Sequence, residues 1–290
     1  MDRQILMSDG RQRIISMIHT EKKIFFTDLD DTLLTDDKQI TEGNRRALDR
    51  ILEEGHQIVF CTGRVLHSAA TAVKKLDYYR TGCFLSCYNG GQIFQIDGKK
   101  SLYIKTLPRD LVEMCVRTAA EEDIHIQAYA SYDAGIVLAR KPSPHLDTYC
   151  RVQALEKRIV PDIMEAIDRD PPKLLAIEPD TEKMDHFRAR LHAAAGDRMD
   201  LFMSSASYLE MVPPGVNKGN AVRYLCKYLG IPIENCIAAG DAENDISMIV
   251  AAGVGAAVAN AQERVRASAD YVTQRDHNHD AVEEILDKFI

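Results

Sequence analysis

The 290-residue sequence has no uninterrupted apolar run of about 18 residues, so no membrane span is indicated. It has no basic block to offset a net charge of −8 at pH 7, which argues against a nucleic-acid partner. It has no Cys-x-x-Cys pair. Its seven cysteines, Cys61, Cys83, Cys87, Cys115, Cys150, Cys226 and Cys236, are scattered and sit mostly in apolar runs. They read as reduced core residues of a cytoplasmic protein and not as a redox or zinc set. Residues 1–20 lack a continuous hydrophobic stretch with a cleavage site, so Met1 to Thr20 read as an N-terminal extension and not as a secretory signal. There is no internal repeat and no low-complexity segment.

What remains is ordinary globular material, 46% apolar and 28% charged. The length suits one large or two medium domains, with a core that needs neither metal nor disulfide to hold it. Lys23 to Thr27 is an apolar run of strand length ending in Asp28-Leu29-Asp30-Asp31. A helix is expected after Thr41, with Ala47, Leu48, Ile51 and Leu52 on one stripe and Gly55 as its stop. Further apolar strands are expected at Gln57–Cys61 and Cys83–Cys87, with a helical stretch between them. Solidly apolar strands alternating with helices imply a parallel sheet covered on both faces.

After Asn89-Gly90-Gly91 the pattern changes to alternating segments, such as Ile124–Ala128 and Gly135–Ala139. Helical stretches near 111–121 and 184–194 separate them. The doubly wound pattern resumes with the stripe Val222, Leu225, Cys226, Leu229, closed by Gly230, and with strands at Cys236–Ala239 and Val254–Val258. The expected fold class is therefore α/β. A doubly wound, Rossmann-like core spans 21–91 and 212–290, and an α+β region is inserted at 92–211.

In an open parallel sheet, ligands bind outside the carboxyl ends of the strands. Polar groups arrive there from several expected strands: Asp28 and Asp30, Thr62, and Asp241. Asp28 and Asp30 are two apart, so an extended backbone sends both carboxylates to one side. Crowded carboxylates favour either a bound cation or a retained proton. Magnesium held by carboxylates and a substrate phosphate suits such a site, with Asp241 and Asp245 completing the acidic wall. Thr62 offers a hydroxyl, Gly63 admits close backbone approach, and Lys218 offers a positive charge. Each of these alone is unremarkable in a sequence; their order beside strand ends and helix starts is what points to a site. Other patterns fail. Gly253-Val254-Gly255 opens a strand instead of following one, Lys218 lacks the glycines and hydroxyl of a Walker A loop, and His277 and His279 read as a surface loop.

The chain resembles the haloacid dehalogenase superfamily of phosphohydrolases, most closely its Cof-type branch with a large α/β cap. The resemblance rests on four motifs in order. They are Phe25-Phe26-Thr27-Asp28-Leu29-Asp30-Asp31-Thr32, Cys61-Thr62-Gly63-Arg64, Asn217-Lys218-Gly219, and Gly240-Asp241-Ala242-Glu243-Asn244-Asp245. Tyr88-Asn89-Gly90, Asn260-Ala261 and Asn278-His279-Asp280-Ala281-Val282 are further branch features. Asp31 stands where the family more often has Gly.

The resemblance implies a phosphoric monoester hydrolase with Mg2+ as cofactor. Asp28 would be the nucleophile, and Asp30, kept protonated by crowding, the general acid and then base. Metal would be held by Asp28, Asp30 (through its carbonyl), Asp241 and Asp245. Phosphate oxygens would be met by Thr62, Gly63, Arg64, Lys218, Asn244 and the backbone after Asp28, at Leu29. The expected partner is a small phosphorylated metabolite, with sugar phosphates first in view. Tyr129, Tyr132, Asp133 and Arg140 are cap residues that could reach it, their orientation not being readable from sequence. The expected state is a cytoplasmic monomer or small homo-oligomer. A phosphomutase and a non-catalytic metabolite binder remain as alternatives.

Overall fold

The structure, a computed structural model, describes residues 21–132 and 135–290. The extension read at 1–20, and Asp133, lie outside the described residues. The first half runs β1 (Ile24–Asp28), α1 (Glu42–Glu53), β2 (Gln57–Cys61), α2 (Leu66–Lys75), β3 (Cys83–Cys87), β4 (Gln92–Gln95) and β5 (Lys100–Ile104). Then come α3 (Arg109–Glu121), β6 (His125–Tyr129), β7 (Ile136–Ala139), α4 (Pro144–Gln153), β8 (Glu156–Ile159), α5 (Ile163–Ala166) and β9 (Leu174–Ile177). They are followed by α6 (Thr181–Ala195), β10 (Asp200–Ser205) and β11 (Tyr208–Val212). The last part is α7 (Lys218–Leu229), β12 (Cys236–Gly240), α8 (Ile246–Ala251), β13 (Val254–Ala257), α9 (Glu263–Arg266), β14 (Tyr271–Val272) and α10 (Ala281–Phe289).

Among the described residues, the strands make two sheets. The first has the order β14-β13-β12-β1-β2-β3-β4-β5 and is parallel from β14 to β3. All of β1 is buried, because both faces of the sheet are covered. Phe25, Ile58, Phe60 and Leu85 pack against α1, α2 and α10, through side chains such as Leu48, Ala69 and Ile285. Ile24, Phe26 and Val59 point the other way, onto Val222, Leu225 and Cys226 of α7 and Met248 of α8. Each fully buried Phe or Ile side chain contributes about 1.5–3 kcal/mol. Local signals hold the ends: the Thr41 hydroxyl accepts the Asn44 N–H at the start of α1, and left-handed Gly230 closes α7. Chain order reverses between β1 and β12, so a crevice opens at their carboxyl ends.

The second sheet, β10-β11-β9-β6-β7-β8, is antiparallel except between β7 and β8. One face carries α3, α5 and α6 on a core that includes Ala128, Leu138 and Phe187. The alternate residues, Tyr129, Val137, Ala139, Leu175 and Ile177, join the apolar cluster that includes Leu66 and Ala69 of α2 and Tyr88 in the turn after β3.

The boundary expected at 92 does not match the sheets. β4 and β5 extend the first sheet, antiparallel to β3 and to each other. The cause is the turn at Tyr88, Asn89 and Gly90, whose φ angles of 52°, 53° and 93° reverse the chain at once, so that Gln92 pairs with Cys87. All seven cysteines are buried and unbridged. No helix among the described residues is long and apolar enough to cross a membrane.

Candidate active site

The carboxyl ends of β1, β2 and β12 and the first turn of α7 meet at the crevice. Lys218, 1% exposed, starts α7 after Asn217, whose side chain accepts the Asn220 N–H. Its ammonium donates to Asp28 and, at 2.5 Å, to Asp245 Oδ1. Asp245 Oδ2 accepts the N–H groups of Asp241 and Ala242, both at 3.0 Å, so both of its oxygens are engaged by the protein. This fold-back needs Gly240, where a Cβ would lie 2.3 Å from that of Asp245. Gly90 serves α7 likewise: a Cβ there would lie 2.2 Å from the Asn217 carbonyl oxygen.

Asp28, Asp241 and Asp245 offer carboxylate oxygens within 4.8 Å of one another. Thr32 Oγ1 donates to Asp241 Oδ1 at 2.8 Å. Burial, with Asp245 beside it, pushes the Asp241 carboxyl up to about 6. Burial also raises Asp28 well above the carboxylate range, although Lys218 pulls the other way. Burial works against the charge of Lys218 too, but Asp245 and Asp28 together keep it a cation. With all three carboxylates ionised, as a bound cation would hold them, the one ammonium leaves a formal charge of −2. The all-oxygen donor set and this deficit both fit a hard divalent cation.

Asp30 corrects the expectation. Crowding was to keep it protonated, yet its carboxylate is forked by Arg64, Nε to Oδ2 at 3.0 Å and Nη2 to Oδ1 at 2.7 Å. Lys38 Nζ stands 3.2 Å from the same Oδ1. Burial alone would raise this group, but Arg64 and then Lys38 outweigh it and hold it below the usual range. Its carboxylate therefore stands outside the acidic trio. Asp31 next to it has φ of 60°, the left-handed conformation that glycine adopts freely and that Asp tolerates better than most residues.

The buried Thr62 Oγ1 accepts the Arg64 N–H at 3.1 Å. Asn244 Nδ2 donates to Asn89 Oδ1 at 3.1 Å, and the Asn89 amide overlies Gly63. The Leu29 side chain is wholly in the core, which leaves only its backbone facing the site. Thr32, Asn89 and Lys38 were not foreseen. Asn89 lay within a recognised turn, but nothing in its context marked its side chain, and Lys38 carried no local signal.

The cap candidates divide. Tyr129 is buried with its hydroxyl 2.7 Å from that of Tyr149, and Tyr132 lies under the Arg169 guanidinium. Arg140 lines a surface cavity of about 550 Å³ with Arg109, Glu113 and Arg117, apart from the trio. His277 is also no surface residue. It is 8% exposed and Nε2 lies 2.9 Å from Asp36 Oδ1, whereas His279 is exposed beside Asp276.

The family model for haloacid dehalogenase-like hydrolases matches residues 25–286. The chloroplastic endoribonuclease YBEY of Arabidopsis thaliana is 30% identical over 85% of this chain, and the chain spans 43% of that protein. The 5-amino-6-(5-phospho-D-ribitylamino)uracil phosphatase YitU of Bacillus subtilis is 26% identical, over 88% of this chain and 93% of its own. The crystal structure of a haloacid dehalogenase-like hydrolase from Bacteroides thetaiotaomicron superposes with a TM-score of 0.86. The two chains are 29% identical over 93% of this chain and 100% of that one.

Proposed function

The chain belongs to the haloacid dehalogenase-like hydrolases, and on that premise we propose that it is a magnesium-dependent phosphatase acting on a small phosphorylated metabolite. The observation that carries the reading is one buried ammonium, Lys218, shared by Asp28 and Asp245, with Asp241 at the same sheet edge. Asp28 is the nucleophile. Its oxygen bonds phosphorus as the bond to the leaving alcohol breaks, and water then attacks the aspartyl-phosphate, releasing phosphate and restoring Asp28. Lys218, Thr62 and the backbone after Asp28 face the equatorial oxygens as charge develops. Magnesium, held by Asp28 and Asp241 with Asp245 bracing them, supplies further positive charge there.

Asp30 carries the proton. In the absence of substrate Arg64 keeps it ionised. A phosphoryl group entering beside Arg64 gives the guanidinium a second anion and adds repulsion to Asp30, so Asp30 takes up the proton it gives to the leaving alcohol. It later receives one from the attacking water. Sugar-like phosphates are the substrate class we favour. The name of the Bacillus subtilis relative, with its phosphorylated ribityl chain, supports that choice.

The test is phosphate release from a panel of sugar phosphates and related monoesters, with kcat/KM measured with and without magnesium. Asp28→Asn is expected to abolish release, and Asp30→Asn to lower kcat by about 10²–10⁴. Equal rates for the parent and Asp28→Asn would sink the nucleophile assignment.

A further inference from the structure

We propose that Lys173 is a positioning residue through which the second sheet fixes the Thr62–Gly63–Arg64 loop of the first. This rests on the phosphatase reading only for its kinetic consequence. Lys173 lies just before β9 and is 2% exposed. It donates to Glu210 Oε2 at 2.9 Å, on the adjacent strand β11. Burial opposes its charge, yet the Glu210 carboxylate keeps it a cation. That pair belongs to one sheet. The other acceptor does not: Lys173 Nζ donates at 3.1 Å to the Gly63 carbonyl, in the loop after β2.

That carbonyl is one end of the Gly63–Arg64 peptide unit, and the N–H at its other end donates to Thr62 Oγ1 at 3.1 Å. The flanking carbonyls of Thr62 and Arg64 accept the N–H groups of Asn89 and Tyr88, both at 3.0 Å. Among the described residues, the ties just named and the Arg64 fork on Asp30 all come from the first sheet and its loops, whereas the Lys173 ammonium reaches this loop from the second. Nearby, α2 and α4 share one neutral hydrogen bond, Ser68 Oγ to Gln153 Oε1 at 2.9 Å, set in a cluster of apolar contacts, which are non-directional and set no register. A charge-assisted hydrogen bond does set one. With the second sheet docked, the peptide is held at both ends and aims the Thr62 hydroxyl and the Arg64 side chain. With it lifted, the carbonyl loses its donor and the peptide is free to turn.

The decisive comparison replaces the ion pair with apolar side chains, K173M/E210L, because such exchanges are often neutral for stability. Amide hydrogen exchange over residues 62–66 is measured on the protein without substrate, alongside kcat and KM on the best substrate of the parent. The expected result is a parent-like Tm, loop exchange at least about tenfold faster, kcat at least about tenfold lower, and KM within about threefold. E210Q, which keeps the donor to Gly63, is expected to retain loop protection. K173R is expected to recover most of kcat. Parent-like exchange and kcat in K173M/E210L would overturn the proposal and leave Lys173 as a structural ion-pair partner. Should that variant not fold, K173Q, too short to reach Gly63, gives the same reading. If the parent releases no phosphate from any ester, the proposed function fails while the exchange result still decides the loop.

Discussion

A lysine in the first turn of a helix stands at the positive end of the helix dipole, where a cation is disfavoured. Lys218 stands there, buried as well, and only Asp28 and Asp245 make the position tenable. Removing one partner of a buried charge set leaves the others uncompensated. Lys218→Met is therefore expected to lose about 3–5 kcal/mol in urea unfolding at neutral pH, and millimolar magnesium should restore part of the loss. An unchanged midpoint would show that the carboxylates do not depend on this ammonium. The acidic trio and Lys218 were legible in the sequence because each sits next to a strand end or helix start. The state of Asp30 was not, because its deciding partner, Arg64, is 34 residues away and reaches it only in the fold. Sequence spacing places carboxylates on one side; it does not say which cation answers each.

Elements are legible where pattern and caps agree. Thr41 and Gly55 bracket α1, and Gly230 ends α7, as their residue types imply. The β4–β5 extension escaped because antiparallel pairing onto β3 depends on a turn geometry, at Tyr88 to Gly90, that the letters only hint at. The parallel pair β1 and β2 supplies a pH prediction. The Lys23 N–H, just ahead of β1, donates at 3.0 Å to His56 Nδ1, just ahead of β2. That nitrogen must stay unprotonated to accept, and burial lowers the pKa of His56 from its ordinary 6.5. As pH falls below that value the unfolded chain binds a proton that the folded chain refuses, so stability declines on acidification and rises again with pH through the same window. A Tm series from pH 7.5 to 5 should show this decline, and His56→Gln should make it shallower. Identical pH slopes for the two proteins would contradict the assignment.

At the scale of the molecule, a doubly wound sheet supplies a crevice at its switch point, and an inserted sheet packs over the neighbouring loop and helix. The doubly wound part was legible because buried parallel strands write continuous apolar runs, such as Ile24 to Phe26 and Ile58 to Cys61. The contact between the sheets was not. Lys173 and Glu210 read as ordinary charges in the sequence, and the carbonyl that Lys173 meets is 110 residues away. The reaction assigned to the crevice depends above all on Asp28 becoming phosphorylated. The most direct measurement is a rapid acid quench of the enzyme turning over a 32P-labelled substrate with magnesium, followed by mapping of the label. The account predicts an acid-stable, base-labile phosphoryl group on Asp28 and none in Asp28→Asn. Label on another residue, or turnover with no labelled protein at any quench time, would contradict it.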